Sequence, residues 1–178
     1  MRPFDIIEDS LLGDYRVFTL HRQILQHPSN DSTHPFFVVK TTDWVNVLAI
    51  TSDRKVLLVR QPRAGTASVT VEIPGGMVDP NEAPITAAAR ELREETGYVS
   101  DPLVPLGVVE PNPALFSNRC HTFLAPNARY EGEPALDAAE VIEVFTHPLD
   151  DIDSLLANGT ITHALVHAAF AHYQRSQR

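Results

Sequence analysis

The chain has 178 residues, of which 43% are hydrophobic, and its 14 Lys and Arg side chains against 23 Asp and Glu side chains leave a formal net charge of -9 at pH 7. This length fits one domain, or one domain with an extension, and the composition excludes global disorder and collagen-like repeats. A net-acidic surface repels long polyanions, which excludes broad nucleic-acid binding, whereas a small anionic ligand requires a bound cation or a few focused Arg side chains.

The single cysteine, Cys120, excludes an intrachain disulfide, a cysteine-based zinc site and an iron–sulfur cluster. Near the N-terminus, Asp5, Glu8 and Asp9 stand where a signal peptide would carry a cationic stretch and an unbroken apolar run. No segment approaches the roughly 18 consecutive apolar residues of a membrane span. We therefore expect a soluble, cytoplasmic protein with no membrane partner.

The first forty residues are predicted to form strands. Residues 15–25 are rich in aromatic and β-branched side chains, and residues 36–40 form a compact apolar run. Between them, residues 27–35 (HPSNDSTHP) concentrate turn-forming residues, which predicts a loop. We divide the chain into an N-terminal strand region, residues 1–42, and a second domain, residues 43–178.

The second domain is predicted to mix strands and helices without a regular alternation. Strands are expected at residues 44–51, 56–59, 69–73, 103–109, 120–124 and 141–145, and helices at residues 81–96, 152–157 and 161–174. This irregular order argues against a doubly wound parallel sheet. It favours an α/β (α+β) fold in which a mixed β-sheet has helices on both sides.

The helix predicted over residues 81–96 has the clearest periodicity. Its apolar side chains recur at three- and four-residue spacing and form one stripe: Ile85, Ala88, Ala89 and Leu92. Asn81 is expected to cap the N-terminus of this helix, and Gly97 is expected to end it.

The opposite face of this helix carries three carboxylates, Glu91, Glu94 and Glu95, with Arg90 as the nearby cation. Steps of three and four residues place the carboxylates on neighbouring helix surface, where like charges repel. A solvated acidic face is the common explanation of such a cluster, but a bound cation would relieve the repulsion. Carboxylate oxygens with open water positions suit Mg²⁺ or Mn²⁺, which bridge to phosphate oxygens.

Glycines and charged residues around this helix form one spaced pattern of 23 residues. Gly76 is followed after five residues by Glu82, and after seven more by residues 90–98, RELREETGY. This pattern resembles the Nudix box at each fixed position, with Tyr98 as a soft departure where an aliphatic residue is commoner. The segments VRQPR at residues 59–63 and EIPGG at residues 72–76, with further short matches downstream, resemble the Nudix branch that hydrolyses ADP-ribose and related nucleoside diphosphate sugars.

The resemblance implies a Nudix-type α/β/α sandwich with a mixed β-sheet, preceded by an N-terminal antiparallel strand region. It implies that Glu91, Glu94 and Glu95 bind Mg²⁺, with Mn²⁺ as an alternative, and that Glu94 and Glu95 take part in catalysis. The Gly75 carbonyl would be an additional ligand of the metal.

Further residues of this pattern are expected to have supporting roles. Glu82 and Arg90 would hold the loop and the helix together by ion pairing. Arg63 and Arg119 are candidates for gripping phosphate or ribose, because a planar guanidinium can bond two oxygens at once, although either can be an ordinary surface charge. Trp44 is a candidate for adenine stacking, with core packing as the more common role of such a residue.

The general base is expected in a loop downstream of the box. In the ADP-ribose branch a loop glutamate precedes a strand of the form E-(F/V/I)-(I/V)-E-V, and residues 140–144, EVIEV, match this form. Glu140 is therefore the expected base. Asp137 and a glutamate of the box remain alternatives, because Ala138 and Ala139 make this loop less acidic than the branch pattern.

The resemblance implies Mg²⁺-dependent hydrolysis of the pyrophosphate bond of ADP-ribose or a related nucleoside diphosphate sugar, which gives a nucleoside monophosphate and a sugar phosphate. Alternatives are a nucleoside triphosphate or dinucleoside polyphosphate hydrolase and a non-catalytic nucleotide-sugar sensor. The expected partner is a small nucleotide sugar. A homodimer is also implied, with residues 1–42 as the candidate dimer-forming region.

Overall fold

The computed structural model describes residues 2–178, which form two compact units. The first unit takes the residues up to Thr42 together with Glu110–Arg119, and the second takes Asp43–Val109 together with Cys120–Arg178. The predicted division after residue 42 had placed the segment Glu110–Arg119 in the second domain. As a statement about domains, that division stays a prediction.

The first unit is built on a three-stranded antiparallel sheet in the order β1-β2-β3. Its strands are β1 (Asp5–Asp14), β2 (Thr19–Gln26) and β3 (Thr33–Lys40). The predicted N-terminal antiparallel strand region is confirmed. The predicted limits differ, because β1 lies before the predicted strand and β3 begins inside the predicted loop.

A polar cluster ties the three strands of the first unit together. The Asp9 carboxylate accepts hydrogen bonds from Lys40 Nζ at 2.6 Å and from Gln23 Nε2 at 3.0 Å, and it contacts His21 Nδ1 at 2.6 Å. The bonds from Lys40, His21 and Gln23 hold the pKa of Asp9 well below its usual range. One carboxylate thus links β1 to β2 and β3.

The second unit contains eight strands around a mixed sheet in the order β11-β5-β4-β10-β8. The strands are β4 (Trp44–Thr51), β5 (Lys55–Arg63), β6 (Ser68–Glu72), β7 (Gly75–Met77), β8 (Tyr98–Val99), β9 (Val104–Val109), β10 (Cys120–Tyr130) and β11 (Glu143–Pro148). The strands β4 and β10 pair in parallel, whereas the other pairs of this unit are antiparallel. The expectation of a mixed sheet is therefore confirmed.

Helices lie on both faces of this sheet. They are α1 (Pro84–Thr96), α2 (Ile152–Ala157) and α3 (Ala164–Ser176). On β4, Val45 and Val47 pack in a core cluster with residues of α1, whereas Leu48 packs in a second cluster with residues of α3. Because successive side chains of a strand point to opposite faces, one strand supplies both cores. This layering gives the predicted α/β/α sandwich.

The helix α1 begins later than predicted. Asn81 has φ 67°, in the left-handed region, so it lies outside the helix, and Ala83 occupies the N-cap position before Pro84. Gly97 ends the helix as predicted, with φ 73° and its N–H bonded to the Arg93 carbonyl. The apolar stripe is also shifted, because Ile85 is 43% exposed.

Other boundaries move by a few residues. The strand β10 continues to Tyr130 instead of ending at Leu124, β11 begins at Glu143, and α3 begins at Ala164. The short strands β7 and β8 were not predicted as strands. Across residues 2–178, no helix combines the length and the apolar character needed to cross a membrane.

Candidate active site

The Gly75–Gly76 pair forms the edge of the candidate site. Both residues lie in β7, which pairs with β4, so the backbone here is packed closely. A Cβ atom on Gly75 would collide with the Val45 carbonyl, and one on Gly76 would collide with the Glu91 carboxylate. Gly75 therefore allows β7 to pack closely against β4, and Gly76 allows the Glu91 carboxylate of α1 to approach the backbone.

Arg90 forms hydrogen bonds with several carboxylates on the charged face of α1 and in the loop before it. Its guanidinium donates two hydrogen bonds to Glu82, at 3.1 and 2.9 Å, and one each to Glu91 Oε1 at 2.9 Å and Glu94 Oε2 at 3.1 Å. It also donates to the Met77 carbonyl at 3.0 Å. The expected pairing of Glu82 and Arg90, which holds the loop to the helix, is present in the structure. These bonds raise the pKa of Arg90 and lower that of Glu82.

Glu95 has a different environment from its neighbours. It is 4% exposed, and its Oε2 accepts a hydrogen bond from the Gly75 N–H at 2.9 Å. Burial raises its pKa to about 8, with smaller contributions from the charges of Glu91 and Glu140 and in spite of the Gly75 bond. A buried carboxyl with a strongly perturbed pKa is a typical component of a functional site.

The three predicted metal ligands, Glu91, Glu94 and Glu95, all lie on α1, but their carboxylates do not converge on a common position. Within residues 2–178 there is no group of three or more His, Cys, Asp and Glu side chains arranged to hold a metal ion. Glu91 and Glu94 each bond Arg90 through one oxygen, and Glu95 bonds the backbone of Gly75. The predicted ligand set therefore stays a prediction.

The donor set nevertheless fits a hard divalent cation. It consists of carboxylate oxygens, which Mg²⁺ and Mn²⁺ prefer. Burial raises the pKa of Glu91 even though Arg90 bonds it, and the charges of Glu94 and Glu140 add to this effect. Several carboxylates with incomplete counter-charge are the arrangement that a cation would stabilise.

The loop that carries Glu140 packs on the C-terminal half of α1. The Ala135 N–H donates to the Glu94 carbonyl at 2.8 Å, and Arg93 Nη1 donates to the Glu133 carbonyl at 3.1 Å. The Glu140 side chain is exposed, and its Oε2 accepts a hydrogen bond from the Asp137 N–H at 2.8 Å. Its charge contributes to the raised pKa values of Glu91 and Glu95, so the loop brings Glu140 into the field of the helix carboxylates.

A cavity of about 490 Å³ lies beside the Gly75–Gly76 pair. Trp44 and Arg63, two predicted substrate contacts, both line it. Trp44 is half-buried at the first position of β4. Arg119 belongs to the segment Glu110–Arg119 of the first unit, and its predicted role stays a prediction.

The exposed Arg63 side chain forms an ion pair with the buried Glu72. Its Nε and Nη2 atoms donate to the two oxygens of Glu72, each at 2.8 Å, in a bidentate pair. Burial opposes the ionisation of Glu72, but the bonds from Arg63 and Thr70 outweigh burial and lower its pKa. The guanidinium at the cavity wall is thus largely neutralised by its partner.

A family profile for the NUDIX domain matches residues 40–170 of the chain. The chain belongs to this family. The predicted Nudix enzyme is therefore confirmed, and residues 76–98, whose pattern resembles the Nudix box, lie within the matched range.

Curated relatives agree with the predicted Nudix branch. The chain is 33% identical over 138 residues to the ADP-ribose pyrophosphatase of Bacillus subtilis (strain 168), which covers 77% of this chain and 75% of that protein. It is 31% identical over 141 residues to the ADP-sugar pyrophosphatase of Mus musculus, which covers 72% of this chain and 64% of that protein. The fold is similar to the crystal structure of an ADP compounds hydrolase, with a TM-score of 0.86 and 24% identity over 98% of this chain and 94% of that one.

Three residues that line the cavity were not predicted as site residues, although Glu72 begins the EIPGG segment noted in the sequence. Glu72 pairs with Arg63, Asn46 lines the cavity, and the His163 ring lies 3.8 Å from the Glu72 carboxylate. A sequence signal exists for Asn46, because it stands two residues after Trp44 and so shares its face of the strand. His163 and Glu72 are 91 residues apart in the chain, and no local pattern connects them.

Proposed function

We propose that this Nudix enzyme hydrolyses the pyrophosphate bond of ADP-ribose or a related nucleoside diphosphate sugar with the aid of Mg²⁺. The products would be a nucleoside monophosphate and a sugar phosphate. The observation that carries the proposal is the arrangement of the Nudix box, in which buried Glu95 is bonded to Gly75 at the edge of a cavity large enough for a nucleoside. The resemblance to ADP-ribose pyrophosphatases over three quarters of the chain supports this substrate class.

Glu91, Glu94 and Glu95 are proposed to hold the cation, with the Gly75 carbonyl as a further ligand. Bound there, Mg²⁺ would offset the negative charge of the phosphate oxygens, which otherwise repel an attacking water. Mn²⁺ is the proposed substitute because it accepts the same oxygen donors. Arg90 keeps Glu91 and Glu94 on one side of the helix, which positions their oxygens before a ligand arrives.

Glu140 is proposed as the general base. Its carboxylate would accept a proton from the water whose oxygen forms the new bond to phosphorus, while the bond from phosphorus to the bridging oxygen breaks. The field that it shares with Glu91 and Glu95 supports this placement. Asp137 is the competing candidate, because its N–H bonds the Glu140 carboxylate and its own side chain lies in the same loop.

Turnover of a substrate panel tests the proposed function. Purified protein, stripped with EDTA and then supplied with Mg²⁺ or Mn²⁺, is assayed on ADP-ribose, other nucleoside diphosphate sugars, nucleoside triphosphates and dinucleoside polyphosphates, with products separated by chromatography. Adenosine monophosphate and ribose phosphate from ADP-ribose, formed only with metal, are the expected products. Full turnover after EDTA treatment would contradict the cation requirement. A preference for triphosphates or dinucleoside polyphosphates would instead identify the alternative enzyme class, and binding without turnover would identify a sensor.

A homodimer in the cytoplasm is also part of the proposal. The first unit exposes an unusual number of large apolar side chains, among them Ile6, Ile7, Leu11, Leu12 and Phe37, each more than half exposed. Large exposed apolar side chains in such number are typical of a protein-contact surface, and we propose a second copy of the chain as the partner. The single buried thiol, Cys120, is consistent with a reducing compartment.

A further inference from the structure

The wall of the cavity that β4 contributes combines an aromatic ring with an amide. Val45 and Val47 are buried in the core cluster on the α1 side of the sheet, with 1% and 0% exposure. Because side chains alternate along a strand, Trp44 and Asn46 project together to the other face. Both residues line the cavity.

The orientation of the Asn46 amide is fixed by helix α3. Its Nδ2 atom donates to the Leu165 carbonyl at 3.3 Å, and only the NH₂ end of an amide can donate to a carbonyl. The Oδ1 atom must therefore be at the other end, next to Gly75, where a Cβ atom would lie 2.9 Å from it. Since Gly75 has no side chain, it leaves room beside this acceptor, and both residues line the cavity. Asn46 is 9% exposed, so little of its amide is in contact with solvent.

Two of the charged side chains that line the cavity with Asn46, Arg63 and Glu72, neutralise each other. Glu72 Oε1 accepts from Arg63 Nε and from Thr70 Oγ1, and Oε2 accepts from Arg63 Nη2. The carboxylate and the guanidinium thus form a neutral unit along the cavity wall. Such a wall offers little net attraction to a phosphate, and it suits an uncharged polar group of the ligand.

We propose that Asn46 is the residue by which this enzyme selects the base of its substrate, with Asn46 Oδ1 accepting a hydrogen bond from an exocyclic amine, as carried by adenine or cytosine, on a ring that lies beside Trp44. This inference rests on the proposed function. A base with a carbonyl in place of the amine, such as hypoxanthine, would set two acceptors against each other, and a buried acceptor without a donor is costly. Rotation of the amide to present its donor would break the hydrogen bond from Nδ2 to the Leu165 carbonyl.

Paired substrates that differ at this one group test the inference by hydrolysis. The ratio of kcat/KM for ADP-ribose to that for the hypoxanthine analogue IDP-ribose is expected to be about 10 to 100 in the unsubstituted enzyme, since one unsatisfied buried acceptor costs about 1–3 kcal/mol. Asn46→Leu, which keeps the approximate size and removes both polar ends, should bring the ratio to within about twofold of one by lowering the value for ADP-ribose. Each variant is compared with itself on two substrates, so a general loss of folded enzyme cancels.

Two further variants serve as a substitute for Asn46→Leu and as a control. Asn46→Ala serves if Asn46→Leu does not fold, and it should abolish the preference in the same way. Asn158→Ala is the matched control, because Asn158 is an exposed amide at the end of α2, with its Oδ1 bonded to the Thr160 N–H; it should keep the ratio. A ratio near one in the unsubstituted enzyme, or an unchanged ratio in both Asn46 variants, would overturn the inference.

A binding measurement separates this inference from the proposed function. Calorimetric titration with AMP and IMP, without metal, should show AMP binding at least about tenfold more tightly to the unsubstituted protein and equally in Asn46→Leu. This result would support the role of Asn46 even if no diphosphate sugar is hydrolysed, in which case only the proposed function fails. The 2′-deoxy and 3′-deoxy forms of AMP complete the series. If their loss of affinity matches that of IMP and depends on Asn46, the acceptor binds a ribose hydroxyl, and the assignment to the base is wrong.

Discussion

Arg90 divides the carboxylates of the Nudix helix into two classes. Its planar guanidinium reaches Glu82, Glu91 and Glu94 at once, which a lysine ammonium on a flexible stem could not do with the same geometry. Glu95 is outside this network, and its side chain bonds only the Gly75 N–H among the contacts described. Arg90 therefore holds Glu91 and Glu94 in position, whereas Glu95 lacks a cationic partner among the contacts described. We expect Glu95 to be the most sensitive of the three proposed metal ligands to substitution.

Substitution of Glu95 tests this division. Glu95→Gln keeps the volume of the side chain and removes the charge, so turnover of the preferred substrate should fall by at least about a hundredfold while the fold is retained. Glu131→Gln is the control, because Glu131 is an exposed carboxylate that lies 3.7 Å or more from its Arg partners. Steady-state kinetics of both variants measure turnover, and circular dichroism measures whether the fold is retained. Normal turnover with raised thermal stability in Glu95→Gln would show that the Glu95 carboxylate has no role in the reaction.

The assignment of the general base is tested by a pair of neighbouring substitutions. Glu140→Gln should reduce the maximal rate by roughly 10² to 10⁴, the usual effect of losing a general base, with little change in metal affinity. Asp137→Asn should have a small effect, although its N–H bonds the Glu140 carboxylate. The reverse outcome would transfer the role to Asp137. Two active variants would place the base among the glutamates of the Nudix box.

The Arg63–Glu72 pair is expected to make stability depend on pH. Because the pKa of Glu72 is lowered on folding, its ionised form stabilises the protein above the ordinary glutamate value of 4.5, and this contribution is lost as pH falls through the lower folded pKa. Glu72→Gln should therefore reduce the free energy of unfolding by about 1–3 kcal/mol at pH 7, and by less below pH 4.5. Urea titrations of both proteins across this range measure the difference. A difference that grows as the solution is acidified would contradict the assignment.

At the scale of elements, helix α1 is held mainly by one side of its surface. Leu92 is 1% exposed and packs in the core cluster with Val47 and Phe123, whereas Ile85 on the same helix is 43% exposed. Leu92→Ala should lower the free energy of unfolding by about 2–5 kcal/mol through lost burial and a new cavity. Ile85→Ala should change it by less than about 1 kcal/mol. Chemical denaturation measures both, and equal effects would mean that the helix is packed differently.

The sequence was sufficient to predict α1 and insufficient to predict β1, for a physical reason. In α1 the apolar spacing, the carboxylates and Gly97 all agree with one helix. In β1 the apolar residues come in adjacent pairs, Ile6–Ile7 and Leu11–Leu12, which breaks the alternation typical of a strand. The structure accommodates each pair with a shift of register against β2, so that the extra residue is bulged.

The site was predictable where its residues are close in sequence. The site residues from Gly75 to Glu95 lie on the short strand β7, the loop after it and helix α1. The spacing of the three glutamates alone indicated a shared surface. The bond between Asn46 and Leu165 spans 119 residues, and it depends on how α3 packs against β4. Contacts of that kind are set by tertiary packing, and a single sequence holds no pattern for them.

For the whole molecule, the apolar surface of the first unit predicts self-association. The chain should elute with a mass near twice its 19.7 kDa when size exclusion is combined with light scattering. Leu11→Lys places a charge on an apolar residue that is 59% exposed, so it should shift the population toward the monomer. Val69→Lys, at an apolar residue of the second unit that is 66% exposed, is the control and should remain dimeric. A monomeric unsubstituted protein would refute the proposed dimer.

The segment Glu110–Arg119 has a consequence for shortening the chain. Within the first unit, the Val39 N–H donates to the Leu115 carbonyl at 2.8 Å, and the Ser117 N–H donates to the Val39 carbonyl at 3.1 Å. A truncated protein that starts at Asp43 would retain this decapeptide but lose the strand that satisfies its backbone. The exposed stretch would then become a preferred target for proteases. Removal of the first 42 residues is therefore expected to cause cleavage near Leu115, some seventy residues further along the chain.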